Sequence, residues 1–80
     1  MYRQTKAENH ILKESRRNLS SSLRKLRADK NQSREDLALE CGITPGYLLK
    51  IEHGAANASL DILDKISQGT GISVAELLSK

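Results

Sequence analysis

Cys41 is the one thiol in this sequence, and His10 and His53 are its two imidazoles. They fall in a basic N-terminal stretch, at a helix end and on an apolar helix face, so no cluster has the spacing of metal ligands, and a lone cysteine forms no intramolecular disulfide. Cys41 reads as a small buried hydrophobe. Nucleophilic catalysis needs a hydroxyl or thiol with a base and an orienting group, and acid–base hydrolysis needs paired carboxylates in a cleft; no such grouping stands out. The serines sit mostly at helix starts or in the Ser20–Ser22 run, where capping accounts for them, and no glycine-rich loop has phosphate-cradling spacing. The residues therefore imply no cofactor. What remains is charge. Residues 1–34 carry ten Lys/Arg against Glu8, Glu14 and Asp29, while residues 35–80 carry three against seven acids, an asymmetry hidden by the net +3. The basic half is where a polyanion is drawn. Tyr2 and Tyr47 are the only aromatic residues, too few stacking platforms for single-stranded nucleic acid, which leaves a duplex as the better-suited polyanion.

The elements that must position these charges follow from the apolar pattern. Eighty residues support one small core and no separate catalytic or effector domain. The apolar content is nearly all Leu, Ile and Ala, which favours packed helices over sheet. No apolar run reaches the length of a membrane span, and the opening residues lack the apolar segment of a secretion signal, so a cytoplasmic location is expected. Leu19, Leu23 and Leu26 form one stripe of a helix ending near Lys30 and Asn31. Residues 1–18 are a basic arm or a backward extension of that helix, Leu12 lying seven residues before Leu19, although Asn18 and Ser20–Ser22 are poor helix formers.

Ser33 stands at an N-cap, with Glu35 and Asp36 in the first turn and Leu37, Ala38 and Cys41 facing inward. Gly42 ends that helix. Thr44 caps the next at once, Pro45 suits its first position, and Ile43 can staple to Leu48. Leu48 and Ile51 continue the inward face as far as His53 and Gly54. After the loop 55–58, Ser59 caps a fourth helix with Leu60, Leu63 and Ile66 inward and Gly69 and Gly71 at its end. Ser73 and Glu76 form a capping box, with Ile72 placed to staple to Leu77. The expectation is an all-α, compact bundle of about five short helices over residues 19–80, with a central helix-turn-helix from Ser33 to Glu52.

The stretch Leu23 to Leu78 resembles the helix-turn-helix family of phage Cro and repressor proteins and their Xre-type bacterial relatives, a lambda-repressor-like DNA-binding domain. The match is carried by Leu26-Arg27, Ser33-x-x-Asp36-Leu37-Ala38, Cys41-Gly42-Ile43-Thr44, Tyr47-Leu48-x-x-Ile51-Glu52-x-Gly54, Asn57-x-Ser59-Leu60 and Gly71-Ile72-Ser73-x-x-Glu76-Leu77-Leu78. The resemblance implies a structural ion pair between Arg27 and Glu52, and a recognition helix from Thr44 to Glu52 in the major groove of duplex DNA. It implies base-edge contacts from Thr44, Pro45, Gly46, Leu49 and Lys50. Phosphate contacts would come from Ser33, Arg34, Tyr47, Asn57 and Ser59, where caps and helix N-termini present free N–H groups. Tyr47 equally suits core packing, and Ser33 and Ser59 equally suit plain capping.

Three departures bear on readout. Pro45 and Gly46 offer no polar side chain, Arg34 stands where the family usually has Gln, and Gln32 stands where it usually has an apolar residue. Affinity weighted toward phosphates is expected, with DNA shape or a second subunit supplying specificity. The resemblance implies a transcriptional regulator acting as a homodimer, with half-sites about 34–36 Å apart and a dimer surface at Leu77 and Leu78, Leu12 being a second possibility. Control by concentration or by a partner fits phage repressors, restriction-modification controllers and antitoxins alike. The alternative keeps the fold as a protein-interaction module or antitoxin-type partner, because Leu39 and Leu49 fall at outward positions.

Overall fold

The computed structural model describes residues 6–79, with side chains from residue 13 onward. Leu12 and His10 lie outside the described side chains, and Tyr2 lies outside the described residues. Five helices follow one another, α1 (Lys6–Lys30), α2 (Arg34–Cys41), α3 (Pro45–Glu52), α4 (Leu60–Thr70) and α5 (Val74–Leu77), and no strand occurs among the described residues. α2 packs on α3 and α4, α1 packs on α3 and α5, and α4 meets α5. Their inward faces meet in one core of Leu19, Leu23, Leu37, Ala38, Cys41, Leu48, Ile51, Leu63, Ile66 and Leu77.

Local chemistry sets most helix starts. The side-chain oxygens of Ser33, Thr44, Ser59 and Ser73 accept from the backbone N–H of Asp36, Tyr47, Ile62 and Glu76 at 3.0, 3.1, 3.2 and 3.1 Å, each satisfying a donor that the first turn leaves free. The turn between α2 and α3 is fixed the same way. Gly42 takes φ 69°, which lets the Ile43 N–H reach back to the Ala38 carbonyl at 3.0 Å, and an L side chain is strained there. Asn31 does the equivalent at the end of α1, with φ 50° and a Gln32 N–H to Arg27 carbonyl bond of 2.9 Å.

Three features depart from local expectation. α1 runs without a break through Asn18 and the serine run, because these polar side chains bond to other elements. Asn18 Nδ2 donates to the Leu78 carbonyl at 3.0 Å, Ser22 Oγ to the Leu77 carbonyl at 3.2 Å, and the buried Ser20 Oγ to the Glu52 carbonyl. Tertiary bonds thus outweigh weak helix propensity. Leu60 is 78% exposed rather than in the core, although it shares a side of α4 with the buried Leu63 and Ile66. Gly69 lies inside α4, whose C-cap is Gly71. A Cβ at position 69 would stand 2.6 Å from the Glu40 carbonyl oxygen and 2.8 Å from Cys41 Cα, so the missing side chain permits close approach of α4 to the end of α2.

Candidate nucleic-acid interface

α3 has two unlike sides. Leu48, Ile51 and Glu52 are buried, while Thr44, Pro45, Gly46 and Lys50 are exposed and Tyr47 and Leu49 are half-buried. Pro45 starts the helix with a fixed φ and without an N–H that would have lacked a partner. The exposed set therefore occupies the N-terminal end and outer side of a helix anchored from behind. Tyr47 packs against the core. A Cβ built at Gly46 meets nothing within 4 Å, so packing does not demand glycine there, and position 46 presents bare backbone to solvent.

The anchor is a charged cluster. Glu52 is 1% exposed, and its carboxylate accepts from Arg27 Nε at 2.7 Å, Arg27 Nη2 at 3.0 Å and Arg34 Nε at 3.0 Å. Arg27 Nη1 also reaches the Gln32 carbonyl at 3.5 Å. One buried carboxylate thus joins α1, the start of α2 and the end of α3. A buried charge persists only with its hydrogen-bonding sites filled, and such clusters fix geometry more than they add stability. The Arg27–Glu52 pair was legible from the motif; the second guanidinium was not. Arg34 thus braces the start of α2 against the end of α3. Its side chain is 33% exposed, with Nε committed to Glu52.

The remaining expected phosphate contacts are spread over two loops. Ser33 and Ser59 are exposed and act as caps. Asn57 is exposed, and its Oδ1 accepts from Arg16 Nη2, a contact between residues forty-one apart that sequence spacing does not reveal. Leu77 is wholly buried, whereas Leu78 is half-buried.

Among the described residues, no group of three or more His, Cys, Asp or Glu is placed to hold a metal ion, and no helix is long and apolar enough to cross a membrane. The Cys41 thiol is pushed above its ordinary value by burial, with Glu40 adding to the effect and Lys30 opposing it.

Residues 23–77 match the family model described as helix-turn-helix. The chain belongs to that family. Within the family, it is 42% identical over 57 residues to control protein C.BamHI of Bacillus amyloliquefaciens, covering 70% of each chain. It is 42% identical over 60 residues to control protein C.MunI of a Mycoplasma species, covering 74% of this chain and 81% of that protein. The crystal structure of a hypothetical transcription factor from Neisseria superposes with a TM-score of 0.74 at 29% identity, covering 81% of this chain and 75% of that one. The protein is a DNA-binding transcriptional regulator of the Xre type. Gln32, where the family usually has an apolar residue, keeps its Oε1 buried without a hydrogen-bond partner among the described residues.

Proposed function

We propose that this regulator binds duplex DNA as a homodimer, with each Thr44–Glu52 segment in a major groove, and that it acts as a controller like the two control proteins it resembles. The observation that carries the reading is the two-sidedness of α3. Its N-terminal end is exposed, while its other end is held by a buried Glu52 tied to Arg27 of α1 and Arg34 of α2. Lys50 donates to guanine O6 or N7, and Thr44 and Leu49 meet thymine methyl groups. Pro45 and Gly46 bring backbone close to the base edges. Ser33, Arg34, Tyr47, Asn57 and Ser59 face phosphates, Arg34 through the guanidinium nitrogens that Glu52 leaves free.

The test is a mobility-shift titration of random duplex at low and moderate salt, followed by selection and sequencing of the bound fraction. An enriched palindrome is expected. Lys50→Ala relaxes the preference at one position of each half-site, whereas Arg34→Ala weakens binding to all sequences and lowers the salt slope by about one. Absence of a shift at every salt concentration overturns the reading in favour of a protein-interaction module, the alternative that Leu39, 82% exposed, favours.

A further inference from the structure

The helix-turn-helix leaves a second charged feature unused. The middle of α1 and the C-terminal end of α3 enclose an open groove of about 700 Å³. Lys13, Arg16, Arg17 and Arg24 line it from α1, with His53 and Gly54 opposite. At about 100° per residue, positions 13, 17 and 24 fall within a narrow sector of the helix, and all three are exposed. No ion pair takes up Lys13, Arg17 or Arg24 among the described residues. Among the described residues, the one carboxylate lining the groove is Glu52, already shared by Arg27 and Arg34. Lys13, Arg16 and Arg17 precede the matched segment 23–77.

We propose that this groove is a second phosphate-docking surface, which holds the duplex backbone flanking the segment read by α3. The inference rests on the duplex-binding reading above. Three observations favour a continuous phosphate backbone. The polar atoms at the groove floor are already used, Ser20 Oγ by the Glu52 carbonyl and the Glu52 carboxylate by two guanidiniums, so no directional pocket for a small anion is built. The cations from Lys13 to Arg24 extend about 16 Å along α1, the rise of about five base pairs. The groove also adjoins the expected DNA face, because Arg16 holds Asn57 in the loop that follows α3.

The experiment is a salt titration of the full chain on a 30-base-pair random duplex, comparing wild type with the triple variant Lys13→Gln, Arg17→Gln, Arg24→Gln. Each lost phosphate contact lowers the slope of log K against log salt by about 0.9, so the variant is expected to lose about 2.7. Its affinity then falls about 40-fold less than wild type's between 50 and 200 mM salt. The selected sequences stay the same, and Arg17→Lys with the other two residues intact keeps the wild-type slope. An unchanged slope in a variant that still binds duplex overturns the proposal and assigns the groove to another partner, such as an acidic protein segment. Failure of the wild type to bind duplex at any salt overturns the duplex reading itself, and this inference with it.

Discussion

The two guanidiniums on Glu52 do unequal work. Arg27 grips both carboxylate oxygens and is 21% exposed, whereas Arg34 makes one bond and is 33% exposed. Arg27→Ala leaves a buried carboxylate with one partner and is expected to cost about 3 kcal/mol. Arg34→Ala removes a partly solvated bond worth about 1 kcal/mol. Urea unfolding of the two variants checks the order, and equal midpoints would show that the carboxylate does not discriminate between them. Cys41 makes a second prediction at this scale. The folded state holds the thiol proton above the ordinary value of 9.0, so an unfolded chain loses the proton first as pH rises. The thiol's contribution is therefore complete below pH 9.0 and lost as pH climbs through the raised folded value. Denaturant midpoints between pH 8 and 11 should decline more steeply for wild type than for Cys41→Ala.

At the scale of elements, Gly46 and Gly69 give opposite forecasts for one substitution. Space around Gly46 is open, and it lies in the first turn of α3; Gly46→Ala should stabilise by about 0.5 to 1 kcal/mol through a less disordered unfolded chain. Gly69→Ala places a Cβ against the backbone of Glu40 and Cys41, and the shift of α4 from α2 should cost about 1 to 3 kcal/mol despite alanine's better helix propensity. Thermal melts give the sign directly, and a higher midpoint for Gly69→Ala would refute the close-approach account. Both residues look alike in the sequence, as glycines within or beside a helix. What separates them is the element lying opposite, which the local pattern does not report.

For the whole molecule, the proposed homodimer constrains which leucines are free to meet a partner. Leu77 is wholly buried within one chain, so Leu77→Ala should act as a core deletion and cost about 2 to 5 kcal/mol. Leu78 is half-buried and Leu60 largely exposed, and these two are the apolar groups offered outward near the chain's end and at the start of α4. Sedimentation equilibrium should show a concentration-dependent dimer that Leu78→Ser weakens while the far-ultraviolet spectrum stays helical. A monomer at every concentration, with or without duplex, would remove the homodimer from the functional reading.

Features that depend on near neighbours in the chain are readable from residue order. Caps at Ser33, Thr44, Ser59 and Ser73 bond three residues away, and the left-handed turn at Gly42 closes within its own helix end. The helix-turn-helix was legible for that reason, and the motif further placed Arg27 against Glu52. Whatever depends on the element lying opposite came from packing. It brought Arg34 onto the same buried carboxylate, left Leu60 uncovered, set Gly69 against α2, and carried α1 through its serines by bonds to α3 and the chain's end. Each is a contact between segments distant in the chain, fixed by packing geometry that a local apolar period does not encode. The cationic groove has the same origin, since the spacing of Lys13, Arg17 and Arg24 defines a face of α1 but not the end of α3 that faces it.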